Sequence, residues 1–426
     1  MYPRDLDGAV QRAVDTMGER LASQNANGVE DVGFDAAAGL CRDVVARTPG
    51  LDSLDEEMTD EVTQAVMDDL FFLGPIEGLL ADPGVTEIMV NGPDDVRIER
   101  AGVIELTDVR FRSDEHILSV INRIALADDR HCDKGSSPMT NATLHRPGAP
   151  FDGSRVNLVV PPIAVDHPLI DVRKFRQDML TPEALIEAGE YDERVDEVLD
   201  ALVRARMNIL IVGGTGSGKT TLLNVVSSYI PDDQRIITIE DTCELKLAKS
   251  HVLRLESRQK GTEGTGEVTI AQIVVNALRQ RPDRIVVGEC RAGEAFDMLQ
   301  AMQTGHDGSL TTIHSNNARH ALTRLQQMVQ MAPDASTMPP DAIMSIITDA
   351  VDIVVHVRRW PDGKRRVAEI VEVQGMQGSV PTTAPLISFD ESEGIWVPSG
   401  ERLGRDHRDR FLSNGVSIDE RWWQRW

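Results

Sequence analysis

No stretch of this sequence approaches the roughly 18 consecutive apolar residues that a membrane span needs. The Met1-Tyr-Pro-Arg-Asp start also lacks the apolar region of a signal peptide. Contact with a membrane is therefore expected only through partners. Cysteine is sparse as well: Cys41, Cys132, Cys243 and Cys290 stand far apart with no Cys-x-x-Cys pair, which supports neither a zinc knuckle nor a disulfide framework. Reduced thiols and a cytoplasmic location are the expectation. Basic residues are in deficit, 44 Lys and Arg against 69 Asp and Glu, for a net charge of -25. A protein whose main task is gripping phosphate backbones needs the opposite balance, so no nucleic-acid partner is expected.

What is present is a chain of 426 residues, 41% hydrophobic, long enough for two or three cores. Residues 1–60 are acidic and read as a solvated, helix-prone extension. From Glu61 to about Leu80 apolar residues recur at helical spacing (Val62, Ala65, Val66, Leu70) up to the stop signal Gly74-Pro75. Short strands follow over 85–105, separated by turns at Asn91-Gly92-Pro93 and Ala101-Gly102. A helix over about 115–126 and strands at Val156 and Leu169 complete a small α/β domain, 61–177, with a linker from Asp178 to Pro182.

The next domain, 178–375, opens with an amphipathic helix over about 183–206 and then alternates strands and helices. Its runs Ile209-Leu-Ile-Val, Ile236-Ile-Thr-Ile, Ile285-Val-Val and Ser309-Leu-Thr-Thr-Ile lack polar alternation. Such strands are buried on both faces, the mark of a mostly parallel sheet flanked by helices. Segments from Val351 and Arg365, joined by Pro361-Asp-Gly, read as a terminal hairpin. Beyond Gly375 the pattern thins, and the tail 376–426, with Trp396, Trp422, Trp423 and Trp426, carries no readable role; packing of its tryptophans on the domain is the better expectation.

One motif carries the chemistry. Gly213-Gly214-Thr215-Gly216-Ser217-Gly218-Lys219-Thr220 follows a strand and opens a helix starting Thr221-Leu-Leu, the context that the G-x-x-x-x-G-K-[ST] phosphate loop requires. Its glycines let successive N–H groups turn around a β-phosphate, Lys219 bridges to the β/γ oxygens, and the Thr220 hydroxyl is placed for Mg²⁺. A chance glycine-rich turn does not explain lysine, threonine, strand and helix together. Three further clusters lie downstream: Glu240-Asp241 at the end of an apolar strand, Glu289 after Ile285-Val-Val-Gly, and His306 and His314 around Ser309-Leu-Thr-Thr-Ile. Carboxylates at the carboxyl edge of such a sheet stand beside the phosphates. By contrast, Gly261-Thr-Glu-Gly-Thr-Gly-Glu267 has no lysine and reads as a mobile surface loop, followed by a Thr269/Gln272 capping box.

Together these clusters resemble the Asp box, Walker B box and His box of the secretion ATPase superfamily that serves type II secretion, type IV pili and type IV secretion. Upstream, Leu73-Gly-Pro-Ile-Glu-Gly-Leu-Leu-Ala-Asp-Pro-Gly-Val-Thr-Glu-Ile-Met-Val-Asn-Gly92 and Asp152-Gly-Ser-Arg-Val-Asn157 are similar to the tight-adherence (Flp) pilus branch. The resemblance covers about 60–375 and implies a PAS-like first domain, a RecA-like P-loop ATPase domain, ATP and Mg²⁺, a homohexamer, and an inner-membrane platform protein as partner. It implies that Glu240 orients water, that Glu289 supports the metal, that His306 and His314 sense or act on the γ-phosphate, and that Arg155 and Arg173 of the first domain close over the nucleotide. Blander readings stand beside these: a helix-capping acid for Glu240, buried core histidines, ordinary salt-bridging arginines. The chain also departs from the pattern. Gly288 replaces the usual aspartate before Glu289, Thr143 stands where an arginine is common, and His145-Arg-Pro-Gly-Ala-Pro-Phe151 is extra. A hexameric motor is the leading expectation, and a slow nucleotide-gated regulator or retraction subunit the alternative.

Overall fold

A computed structural model describes residues 7–23, 34–51, 53–100, 102–174, 181–258, 260 and 265–424. The linker expected from Asp178 lies partly outside these, as do 261–264 of the glycine-rich loop. The chain forms two compact units, the first running to Gln177 and the second starting at Asp178.

In the first unit, α1 (Asp7–Ser23), α2 (Phe34–Arg47) and α3 (Glu56–Phe71) share a small apolar core that includes Val10, Met17, Val44, Val62 and Val66. The Asp55 carboxylate caps α3 by accepting from the Met58 N–H, and Gly74, at φ +63°, turns the chain into α4 (Glu77–Ala81). Then come β1 (Val85–Gly92), β2 (Asp95–Arg100), β3 (Val103–Leu106), α5 (Asp114–Ala127), β4 (Met139–Thr143), β5 (Arg155–Val159) and β6 (Leu169–Arg173). These strands form one antiparallel sheet in the order β3-β2-β1-β6-β5-β4. Alternate residues, such as Val156 and Leu158 on β5 and Ile170 and Val172 on β6, pack against Ile117, Val120, Ile121 and Ile124 of α5. Arg155 and Arg173 therefore belong to the opposite face, where they are direct register partners. The extra segment closes on its own unit: the Arg146 guanidinium lies 4.9 Å from both the Phe72 and Phe151 ring centroids and pairs with Glu77.

The second unit begins with α6 (Pro182–Glu187) and α7 (Glu193–Arg204). The single helix expected over 183–206 is broken here, because Gly189 takes a left-handed φ of +71° and Asp192 starts a new helix by accepting from the Val195 N–H. The alternation continues through β7 (Ile209–Gly213), α8 (Lys219–Ser227), β8 (Ile236–Glu240), β9 (Val252–Glu256), α9 (Ile270–Ala277), β10 (Arg284–Cys290), α10 (Glu294–Gln303), β11 (Leu310–His314), α11 (Ala318–Gln330) and α12 (Pro340–Ala350). The Thr269/Gln272 capping box at the start of α9 is present. β12 (Ile353–Arg359), β13 (Arg365–Gln377), β14 (Val380–Asp390), β15 (Ile395–Pro398) and α13 (Arg405–Ser413) complete the unit.

Its sheet runs β15-β14-β13-β12-β7-β11-β10-β8-β9. The six strands from β12 to β9 are parallel, while β13, β14 and β15 add antiparallel ribbons, so the sheet is mixed with a parallel heart. Leu210 and Val212 of β7 face α9–α12, whereas Ile209 and Ile211 face α7 and α8; helices on both faces explain why these strands lack polar alternation.

The chain beyond Gly375 is built into this unit. Trp422 and Trp423 bury against Leu185, Tyr191 and Val195, and the Trp422 indole N–H donates to Glu197 (2.8 Å). α13 is tied to the sheet by charge. His407 Nδ1 lies 2.6 Å from Glu372, a carboxylate with no solvent exposure, and its Nε2 lies 3.2 Å from Asp352. Arg410 bridges Asp352 (2.6 Å) and Asp307. Burial alone would push the His407 pKa down, but the bonds to Asp352 and Glu372 outweigh it and hold it up at about 9. A histidine raised above its ordinary value stabilises fully below about 6.5 and loses that stabilisation as pH climbs through about 9. His407→Gln is therefore expected to cost on the order of 3 kcal/mol at pH 6, with the gap from the parent closing towards pH 10. Denaturant melts across that range test this, and a gap independent of pH contradicts it.

Candidate active site

β7 is buried from end to end and leads straight into the glycine loop. At Gly213 an added Cβ would sit 2.3 Å from the Val357 carbonyl oxygen and 2.4 Å from Ser217 Oγ, so the loop's first turn is possible only without a side chain. Gly216 and Gly218 take φ of +68° and +96°, and Gly218 is the N-cap of α8. Alternating hands of this kind turn successive N–H groups into one concavity at a helix N-terminus, a nest for anionic oxygen. Thr215 and Ser217 lie within the loop, and Thr220 and Thr221 in the first turn of α8. Lys219 is buried; its Nζ donates to the Gly214 carbonyl at 3.0 Å and lies 3.3 Å from His314 Nδ1.

The strand order β7-β11-β10-β8 sets Gly213, His314, Glu289 and Glu240 side by side along one edge. Neighbouring strand axes are about 4.8 Å apart, which brings side chains of adjacent strands into contact. Between β10 and β11 the register slips by one residue: Val287 pairs with Thr311 but Cys290 with Ile313. This bulge at Gly288-Glu289 re-aims Glu289, whose Oε1 lies 2.8 Å from His314 Nε2. Glu289 Oε2 accepts from Arg291 Nε and Nη2, both at 2.7 Å, and Arg291 also reaches within 3.6 Å of Asp241. The pKa of His314 is lowered by burial and then by the Lys219 charge, with Glu289 opposing. The neutral imidazole fits its place, with Nδ1 free to accept from Lys219 and Nε2 2.8 Å from Glu289 Oε1.

Glu240 is buried on the next strand. Its Oε2 accepts from the N–H groups of Glu244 (2.8 Å) and Leu245 (2.9 Å), while its Oε1 is buried without a hydrogen-bond partner among the described residues. Burial pushes its pKa up to about 7, against the lowering effect of those two amides. Gly288 is explained by the same carboxylate. A Cβ there would meet Glu240 Cγ at 2.9 Å, so the aspartate usual at this position has no room.

His306 does not join this group. β11 runs from Leu310, paired with Ile209, to His314, beside Gly213, so His306 lies at the opposite edge of the sheet, on the order of 15 Å away. The two histidines thus flank β11, one at each end. Arg155 and Arg173 stand in the first unit, in one row with Thr143 and Glu87; Arg173 Nε is 3.7 Å from Glu87. Arg324 was not foreseen. It extends from α11 into a cleft of about 490 Å³ lined also by Gly214, Thr215, His314 and Asn316, and only tertiary placement reveals it. Among the described residues no group of three or more His, Cys, Asp or Glu could hold a metal ion, so a cation here would need oxygens from a ligand.

The family model for type II/IV secretion system proteins matches residues 72–375. The chain belongs to that family. Similar relatives include the conjugal transfer protein TrbB of Rhizobium radiobacter, 32% identical over 322 residues, covering 74% of this chain and 92% of that protein. The type IV secretion system protein VirB11 of Brucella suis is 33% identical over 335 residues, covering 70% and 89%. A crystal structure of the VirB11 ATPase from the Brucella suis type IV secretion system, in complex with sulphate, is 31% identical, covers 70% of this chain and 91% of that one, and has a TM-score of 0.38. No helix among the described residues of this family member is long and apolar enough to cross a membrane.

The packing of Gly288 on Glu240 can be tested directly. Gly288→Ala is expected to cost about 1–3 kcal/mol through overpacking. Gly288→Asp, which restores the usual residue, should cost more, because it adds a second carboxylate against a buried one. Equal stability of Gly288→Asp and the parent in urea melts would refute that contact.

Proposed function

We propose that the chain hydrolyses ATP to ADP and phosphate as a cytoplasmic homohexamer and so powers assembly of a Flp-like pilus or a related secretion system, acting on an inner-membrane platform protein. The observation that carries the reading is Glu240: a buried carboxylate with a pKa near 7 and one oxygen without a protein partner, at the sheet edge that holds the glycine loop. A general base works best with a pKa near the working pH, and Oε1 is the atom available to take a hydrogen bond from an attacking water. The backbone amides of Glu244 and Leu245 fix the other oxygen and so set the orientation of the carboxylate.

Lys219 supplies charge to the β/γ oxygens, and His314 holds Lys219 and Glu289 in one chain of contacts. Mg²⁺ would be held by the Thr220 hydroxyl, by Glu289 through water and by phosphate oxygens, and would neutralise charge between the β- and γ-phosphates. In this reading the loop residues Gly214 to Thr221 bind the nucleotide, and Arg155 and Arg173 add positive charge as the phosphoryl group leaves. His306, at the far edge, is left with a structural part through its carbonyl, which accepts from Ser309 Oγ at 2.8 Å. The acidic net charge and the relatives' link to secretion support a protein-assembly machine over one that grips nucleic acid.

Lys219→Ala is expected to weaken nucleotide binding and abolish turnover with the fold retained, as read by nucleotide titration and circular dichroism. Glu240→Gln should still bind ATP while hydrolysis drops on the order of 10²–10⁴-fold. Because the ionised carboxylate is the active form, parental turnover at saturating ATP should rise with pH through about 7 and then level off. Hydrolysis by Glu240→Gln within a few-fold of the parent would remove Glu240 from the role. Alanine at Arg155 or Arg173 should lower turnover at saturating ATP, with lysine a poor substitute for the planar fork; parental rates in both alanine variants would make these arginines structural.

A further inference from the structure

The hairpin between β12 and β13 holds four arginines, and three of them are engaged. Arg366 pairs with Asp362 (2.7 Å), Arg358 with Glu391 (3.3 Å), and Arg359 Nε donates to the Gly363 carbonyl (3.3 Å). Arg365, at the first position of β13, is different. It is half-buried, and among the described residues its guanidinium makes no hydrogen bond or ion pair. Its stem lies against the phosphate loop: a Cβ built on Gly218 would be 3.1 Å from Arg365 Cδ and 4.0 Å from its Cβ. The Glu190 carboxylate is at the same place, 3.9 Å from that point; burial raises its pKa and the Arg365 charge opposes the rise. Glu190 is anchored by its backbone, whose carbonyl accepts from the Val367 N–H at 2.8 Å.

The sheet order says which part of a nucleotide this arginine can meet. Glu240, Glu289 and His314 all lie on the β11-β10-β8 side of β7, and β12 with its hairpin lies on the other side. A phosphate chain whose terminal group points to the carboxylates must carry its α-phosphate and nucleoside towards the hairpin. A half-buried guanidinium that makes no hydrogen bond or ion pair among the described residues, with the Glu190 carboxylate nearby and a nest for anionic oxygen beside it, suits one more phosphate oxygen better than solvent. Resting on the nucleotide reading above, we propose that Arg365 binds the α-phosphate of the nucleotide held in the glycine loop and is a determinant of affinity for ADP and ATP alike.

Arg365→Ala should raise the dissociation constants of both ADP and ATP tenfold or more, the scale of a charge-assisted hydrogen bond. Turnover at saturating ATP should stay within about two-fold, because the group is remote from the bond that breaks. Arg365→Lys should recover part of the affinity. Glu190→Gln, which removes a carboxylate beside the site, should leave affinity equal or tighter. Melting of the nucleotide-free full-length variants separates binding from packing. Parental melting with lost ADP and ATP affinity supports the proposal; parental affinity for both in Arg365→Ala overturns it, whatever the melting does. Should Arg365→Ala fail to fold, Arg365→Gln is read by the same criteria. Lys219→Ala is the reference arm: lost affinity there with parental affinity in Arg365→Ala sinks this inference alone, whereas parental affinity in Lys219→Ala sinks the nucleotide reading as well.

Discussion

The close approach of the loop to β12 is the constraint on which the site depends. With the Val357 carbonyl and Ser217 Oγ both within about 2.4 Å of where a Gly213 side chain would start, the chain leaving β7 has one path, and that path rolls the loop over the amino end of α8. The nest, the burial of Lys219 and the contact of Gly218 with Arg365 all follow from it. A parallel sheet does the rest. Because β7, β11, β10 and β8 run the same way, their carboxyl ends fall on one edge, and residues more than 100 positions apart in sequence come to one place.

The two acids of that edge have different surroundings. Glu289 has one oxygen 2.8 Å from His314 and the other 2.7 Å from two nitrogens of Arg291, contacts that fix its orientation. Glu240 has no such cation in contact, and burial dominates two backbone amides to raise its pKa to about 7. Two carboxylates in such different surroundings are suited to different tasks. Gly288 belongs to the same arrangement. Its missing side chain makes room for Glu240, and the bulge beside it turns Glu289 towards His314.

Much of this was legible in the sequence. The phosphate loop, the apolar strands and the carboxylates at their ends follow from local rules, and the mixed sheet with its parallel heart is the one those strands imply. What was hidden depends on packing. β14 carries Pro381 and Pro385, which mask a strand that the sheet accommodates with register shifts beside them. The helix over 183–206 has the right periodicity, but Gly189 and the Asp192 cap divide it. His306 and His314 look equivalent in sequence, yet a strand only five residues long puts them at opposite edges. Arg324 and Arg365 carry no motif at all, since each is brought to the loop by an element that enters the chain much later.

The charge of the whole molecule and the charge of the site run in opposite directions, and this bears on what can bind. A net charge of -25 opposes the approach of a long polyanion. Around the loop, however, Lys219 and the α8 amino end are joined by Arg324 in the adjoining cleft and Arg365 against Gly218. A compact anion can meet those cations together, as an extended one cannot. The net acidity of the molecule and the cluster of cations at the glycine loop thus favour a compact anion there over an extended one.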